Sequence, residues 1–206
     1  NNVDVIIYEP SEKVKEILKA EESNKQSKLT PARAMLLYAM YYYESLGETS
    51  SLFVANKLAY FFKRMGETNF NRLKFEASHY GPYSVQLAHM LHQMNGKYLK
   101  GLEQMDVKAF EPIDLQYDKV KEVSDYIKKE LKPENKARLK NLLGLIDGYQ
   151  SDLSLEVLAT VDFVKHEYKL KSEEEIVKRI HDWSDRKKNL MNQRHIAKAI
   201  KHLDDY

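Results

Sequence analysis

Apolar residues recur at helical spacing along most of the chain, and this pattern predicts a mainly helical fold. The first long helix follows Thr30 and Pro31, which are typical of an N-cap and a first helical position, and it ends near Gly47. It is apolar on most sides, so we expect it at the centre of the core. The other predicted helices run from Ser50 or Ser51 to Gly66, over 85–95, 118–131, 133–148 and 153–166, over 173–188 behind a capping box at Ser172 and Glu175, and over 193–204.

Three segments favour strands instead. KYLKGLEQM at 97–105 and VKAFEPIDLQY at 107–117 alternate apolar and polar residues, which predicts a β-hairpin around the turn-prone Met105 and Asp106. VDVIIY at 3–8 is predicted to be a short buried strand, and its isolation favours the tail of a preceding domain. Together these elements predict an α+β, predominantly α-helical fold.

The expected architecture is a helical bundle with a small β-hairpin and a C-terminal helical subdomain that resembles a winged helix. We divide the chain into a remnant and linker at 1–27, a helical domain with the hairpin at 28–132, and a helical bundle at 133–206.

The amino-acid composition of the chain limits the classes of function that it can have. The 206 residues are 43% hydrophobic and 31% charged, which is typical of a soluble globular protein. The net charge of +2 is too small to indicate a nucleic-acid binder by itself. Cysteine is absent, which excludes disulfides and thiolate metal sites and fits a cytoplasmic location. The longest apolar run, at 35–43, is too short to span a bilayer, so no membrane association is expected.

Known catalytic and cofactor patterns do not occur. No nucleophile elbow, P-loop or dinucleotide-binding glycine pattern is present, so we expect no cofactor and no enzymatic activity. His89 and His92 lie three residues apart on one predicted helix face, but no third ligand has a recognisable spacing. His195 and His202 are explained in the same way as ordinary helix-surface residues. We therefore expect no metal site.

The stretch FEASHYGPYS, residues 75–84, concentrates polar and aromatic side chains around a Gly-Pro break. Gly81 tolerates a positive φ, and Pro82 disfavours a helical conformation of the residue before it. A rigid corner is therefore predicted between an extended piece and the helix that follows Ser84. Aromatic side chains held by such a corner are candidates for contact with a partner, because tyrosine is frequent among interface hot spots. The candidates are Glu76, His79, Tyr80 and Tyr83.

Charge is distributed unevenly along the second half of the chain. Residues 103–125 carry seven acids against three lysines, a local net charge of −4. This acidic segment could present phosphate-like charge to a basic partner. Its candidate contact residues are Glu111, Asp114, Asp118 and Glu122. A basic run, Arg186, Lys187 and Lys188, follows in the C-terminal part.

Two stretches carry a family resemblance: residues 29–67, which include KLAYFF at 57–62, and FEASHYGPYS. In this order they resemble the C-terminal region of DarG antitoxins and the Panacea-type antitoxin domains. The resemblance extends over about 28–206, with support from LSLEVLATVDFV at 153–164 and IHDWSDRKK at 180–188. VDVIIYEP resembles the closing strand of the macrodomain that precedes this region in DarG.

The resemblance implies an antitoxin that neutralises DarT, a toxin that ADP-ribosylates single-stranded DNA, by direct contact. Mimicry of that DNA is the implied mode, and the acidic segment is the candidate mimic. The resemblance also implies that the DNA ADP-ribosyl glycohydrolase activity belongs to the macrodomain, whose ligand-binding loops this chain lacks.

The alternative is a nucleic-acid-binding module that serves autoregulation. In that case the C-terminal helices would act as a winged-helix unit, with Arg186, Lys187 and Lys188 on phosphates.

Overall fold

The computed structural model describes residues 27–102 and 107–206. In this part of the chain nine α-helices and two short antiparallel strand pairs are present, which confirms an α+β, predominantly helical fold. The helices are α1 (Pro31–Ser45), α2 (Leu52–Arg64), α3 (Val85–His92), α4 (Val120–Glu130), α5 (Pro133–Ile146), α6 (Asp152–Glu167), α7 (Glu173–His181), α8 (Asp185–Leu190) and α9 (Gln193–Asp204). The predicted strand at 3–8 and the predicted turn at Met105 and Asp106 lie outside the described residues.

The helices begin where the sequence provides caps. The Thr30 side chain accepts a hydrogen bond from the Arg33 N–H, and the Ser51 side chain does the same for Val54. The predicted capping box at Ser172 and Glu175 is present in full. These side chains satisfy N–H groups that the first turn of a helix leaves without partners.

The predicted helix over 173–188 is wrong as a single element. It ends at His181, and Ser184 takes an extended conformation and caps the separate helix α8 by accepting from the Lys187 N–H. Residues 133–206 contain only helices and turns, so this segment has no strand that could serve as the wing of a winged helix.

The strands form two small pairs. β1 (Glu76–Ser78) and β2 (Gly81–Tyr83) are antiparallel, with Glu76 opposite Tyr83. β3 (Leu99–Lys100) and β4 (Asp114–Leu115) pair with Leu99 opposite Leu115, which confirms the predicted pairing over only two residues in each strand. The β1–β2 hairpin was not predicted, although the extended piece and the break at Gly81 were.

Three helices form the centre of the molecule. α1 is buried along most of its length, as its apolar pattern predicts, and α2 is buried continuously over 52–62. α6 is buried over the ten residues 155–164. One hydrophobic core runs from Ala32 in α1 to Ala199 in α9 and so takes residues from both predicted segments. The boundary between 132 and 133 stays a prediction.

Within the described residues, none of the helices combines the length and the apolarity that a bilayer span requires.

Candidate functional site: the Gly-Pro corner and its aromatic patch

The β1–β2 hairpin is fixed against two central helices. Gly81 has a φ of +93°, and a side-chain carbon on it would lie 2.8 Å from the Thr160 hydroxyl of α6. The Pro82 carbonyl accepts a hydrogen bond of 2.9 Å from Nζ of Lys57 in α2. The next residue is held as well, because the Asn56 side chain accepts from the Ser84 N–H at 2.8 Å. The corner predicted at Gly81 and Pro82 is therefore rigid and leaves no room for a side chain at Gly81.

Under this corner lies a group of charged side chains, three of them buried, which we call the charge cluster: Lys57, Glu156, Arg186 and Lys187. Glu156 accepts two hydrogen bonds from the Arg186 guanidinium, at 2.6 and 2.9 Å, and one from Lys187 Nζ at 2.9 Å. Lys57, Glu156 and Lys187 are each no more than 1% exposed. A bidentate guanidinium pair is directional as well as charged, so it fixes α8 on α6 in one orientation.

Burial dominates the protonation of this cluster. Removal of Lys57 from water lowers its pKa to about 7; Glu156 opposes this change and Lys187 adds to it. Burial also lowers the pKa of Lys187, although Glu156 counteracts the effect. For Glu156 burial acts to raise the pKa, but the hydrogen bonds from Arg186 and the charge of Lys187 outweigh it, and the pKa lies below its usual value. Glu156 is therefore ionised at neutral pH, whereas Lys57 is close to losing its proton.

Above the corner lies a group of four aromatic rings and one guanidinium, which we call the Tyr80 patch: Phe53, His79, Tyr80, Phe110 and Arg186. The Tyr80 ring contacts His79 and Phe110 edge to face, with centroids 4.6 and 4.7 Å apart, and Phe53 at 6.3 Å. The Arg186 guanidinium carbon lies 4.8 Å from the Tyr80 ring centroid. Phe53 is buried, but Phe110 is 40% exposed and His79 is exposed. The patch thus presents aromatic surface whose position is fixed from below.

Arg186 joins the charge cluster to the Tyr80 patch. One end of its guanidinium binds Glu156 inside the fold, and its face lies on Tyr80 at the surface. A single side chain therefore contacts both Glu156 and Tyr80.

The predicted partner-binding residues of the corner divide into two groups. His79 and Tyr80 join the patch, whereas Glu76 and Tyr83 face each other across the hairpin as an exposed and a half-buried residue. Within the described residues, no hydrogen bond or ion pair joins any of these four corner residues to an acidic candidate.

The acidic candidates lie among lysines. Glu122 pairs with Lys97 at 3.0 Å, and Asp118 pairs with Lys119 at 2.7 Å. Asp114 lies opposite Lys100 in the β3–β4 pair, and Glu111 accepts from the backbone N–H of Lys108 at 3.2 Å. The described part of 103–125 is therefore a surface of alternating charge rather than a row of free carboxylates.

The basic candidates of the alternative differ in accessibility. Lys187 is completely buried, and Arg186 is occupied by Glu156, so neither of these charges is free to bind a phosphate in this structure. Lys188 is exposed.

The histidines contribute no further site. Among residues 27–102 and 107–206, no group of three or more His, Cys, Asp or Glu side chains is placed to hold a metal ion.

Sequence reasoning missed Lys57, Glu156 and Phe110. A signal existed for the first two, since Lys57 and Glu156 are charged residues inside otherwise apolar helical runs, and such residues are rarely buried unless they are paired. Phe110 had no comparable signal, because Phe110 is distant in sequence from the turn that carries Tyr80, and the two rings come into contact only in the folded chain.

Comparison with known proteins gives relatives but no matching family model. A protein of Thermus aquaticus named DNA ADP-ribosyl glycohydrolase is 30% identical over 185 residues, which are 90% of this chain and 49% of the relative. Proteins of the same name from Mycobacterium bovis and Mycobacterium tuberculosis are each 26% identical over 97% of this chain and 58% of their own length.

These names contradict one expectation. We expected no enzymatic activity, but relatives matched over 90% or more of this chain are named as an enzyme, so that expectation is wrong on this comparison. The sequence similarity to these relatives supports the predicted relation to DarG. The chain is related to the DarG proteins, the DNA ADP-ribosyl glycohydrolases, and it spans about half the length of the relatives that it matches.

Proposed function

We propose that this chain binds a DarT-type DNA ADP-ribosyltransferase toxin by direct contact and neutralises it. The observation that carries this proposal is the Tyr80 patch, an accessible aromatic surface held rigid by the charge cluster beneath it. The relation to DarG proteins supports the choice of partner.

The patch has the properties of an interface centre. Tyrosine and arginine are enriched among the few residues that dominate binding energies, and here Tyr80 and Arg186 are in contact. A preorganised ring loses little conformational freedom on binding, which favours affinity. Phe110 adds apolar area that is 40% exposed in the free chain.

A toxin that acts on single-stranded DNA has a groove for that strand, lined by basic and aromatic groups. The rings of the Tyr80 patch offer the aromatic part of such a groove a surface that can stack where bases stack. Mimicry of phosphates by Glu111, Asp114, Asp118 and Glu122 remains the second mode, and their interleaving with lysines makes a purely electrostatic version weaker.

The decisive experiment is co-expression with a DarT-type toxin, followed by pull-down and a growth-rescue assay. We expect a Tyr80→Ala, Phe110→Ala double variant to lose about 30-fold or more in affinity, the usual effect of a hot spot worth about 2 kcal/mol. Tyr168→Ala is the matched control, since Tyr168 is 40% exposed and also lies under an arginine, with the Arg179 guanidinium carbon 4.0 Å from its ring centroid.

The absence of both a complex and rescue by the unmodified chain would refute neutralisation itself. Equal affinities of the double variant and the control would leave neutralisation standing but remove the Tyr80 patch from it. A separate Asp114→Lys, Asp118→Lys, Glu122→Lys variant tests mimicry: if phosphate mimicry dominates, this variant loses more affinity than the double variant.

Turnover of ADP-ribosylated DNA is the second candidate function, and the names of the relatives favour it. It is tested by incubating the chain with ADP-ribosylated single-stranded DNA and measuring released ADP-ribose. Release in proportion to protein concentration would support it, and no release above that of buffer would exclude it for this chain.

A further inference from the structure

A cavity of about 310 Å³ lies away from the Tyr80 patch, between the start of α6 and the start of α9. Its volume falls at the lower end of the range for pockets that hold small organic ligands. One wall is apolar and is formed by Tyr149, Leu153 and Val157. Leu153 is 40% exposed, so part of this apolar wall is open to solvent.

The aromatic part of the wall is fixed in place. The Tyr149 ring stacks on His202, with centroids 4.4 Å apart and planes inclined by 29°. Its hydroxyl donates to the Lys198 carbonyl at 3.2 Å. A ring held from both its face and its hydroxyl end provides a rigid platform for a flat ligand.

The polar part of the lining includes the ammonium of Lys198, which suits an anion. Ser151 and Ser154 also line the cavity, but their hydroxyls hydrogen-bond each other at 2.8 Å and the Ser154 hydroxyl donates to the Ser151 carbonyl at 3.0 Å, so both hydroxyl protons are used within this turn. His195 and Lys198 also line the cavity, and Nδ1 of His195 hydrogen-bonds the Leu190 carbonyl at 3.3 Å. Lys198 is exposed, and no carboxylate of the described residues forms an ion pair with it. Asp152 stands between the two serines in the chain, but it does not line the cavity.

We propose that this cavity binds a nucleoside phosphate, with the base against Tyr149 and the phosphate at Lys198. The combination of an apolar aromatic wall with an exposed ammonium fits a flat ring joined to an anionic group. The cavity shares no residue with the Tyr80 patch, so this proposal is independent of toxin binding.

The test is an NMR titration of the full chain with AMP. We expect saturable shifts confined to residues 148–157 and 195–198, with Lys198→Gln raising the Kd about tenfold or more, the effect of about 1.4 kcal/mol. Lys201→Gln is the matched control, because it removes an exposed lysine of the same helix that does not line the cavity. Adenosine and inorganic phosphate, each titrated alone, should bind at least about tenfold more weakly than AMP.

A 5′-phosphorylated dinucleotide separates free nucleotides from nucleic-acid ends: binding equal to that of AMP assigns the cavity to a strand end, and weaker binding assigns it to a free nucleotide. Three results would overturn the proposal. They are the absence of saturable shifts with AMP up to about 10 mM, an equal effect of Lys198→Gln and Lys201→Gln, and shifts that phosphate alone reproduces at the same concentration.

Discussion

Lys57 gives the most direct test of the charge cluster. Its ammonium is buried, its hydrogen-bond acceptor in the structure is the Pro82 carbonyl, and Nζ lies 4.9 Å from the Phe53 ring centroid. A carbonyl and a ring face stabilise an ammonium less than water does, so burial lowers the pKa of Lys57 from 10.5 to about 7. We expect this single group to make the stability of the protein depend on pH above neutrality.

The sign follows from proton counts. Between pH 7 and pH 10.5 the unfolded chain keeps a proton on Lys57 that the folded chain has largely lost. The free energy of unfolding therefore rises with pH across this window. With these two pKa values, the contribution of Lys57 grows by about 2 kcal/mol between pH 7 and pH 9.

Replacing the lysine with methionine removes the titrating group and keeps most of the side-chain volume. We expect Lys57→Met to lack this gain of about 2 kcal/mol, measured as the difference between denaturant-unfolding free energies at pH 7 and pH 9. Lys63→Met is the control: Lys63 lies on the same helix and also donates to a backbone carbonyl, that of Leu73 at 2.5 Å, but its substitution leaves Lys57 in place.

The comparison within each variant matters more than the absolute values. Loss of the hydrogen bond to the Pro82 carbonyl lowers the stability of Lys57→Met at both pH values, so it cancels in the difference. An equal gain from pH 7 to pH 9 in Lys57→Met and in the unmodified protein would refute the reasoning, because it would show that the buried ammonium keeps its proton as readily as in water.

Three further substitutions test the close packing at Gly81, the pairing of the buried charges and a helix cap, each by denaturant or thermal unfolding. Gly81→Ala should destabilise the fold by about 1 kcal/mol or more beyond the effect of Gly66→Ala, since both positions have a positive φ but only Gly81 brings a new carbon to 2.8 Å from Thr160; equal losses would contradict the close approach. Glu156→Gln should cost about 3 to 5 kcal/mol, because the buried cations lose their charged partner; a loss below 1 kcal/mol would mean that the cluster is solvated. Ser172→Ala removes a capping box and should cost about 1 kcal/mol, with an unchanged unfolding midpoint as the contrary result.

The helices could be predicted because their signals are local. A cap such as Thr30 or Ser51 acts within one turn, and apolar spacing reports the buried face of the same segment. The prediction of one helix over 173–188 was wrong because Ser184 is itself a good N-cap and begins the separate helix α8. The β1–β2 hairpin was not predicted because strands of three residues are too short to show an alternating pattern.

The candidate site could be predicted only in part, because its parts come from distant segments. Tyr80 was predicted as a partner contact and Arg186 as a phosphate contact, each from the composition of its own neighbourhood. The structure places the guanidinium of Arg186 on the ring of Tyr80 and against the carboxylate of Glu156. A sequence can show that a charge stands in an apolar run, but it cannot show which other charge lies beside it, since burial is stable only with a partner that the fold supplies. The two rival interpretations therefore each named one residue of a single arrangement, in which Arg186 is paired with Glu156 and lies on Tyr80.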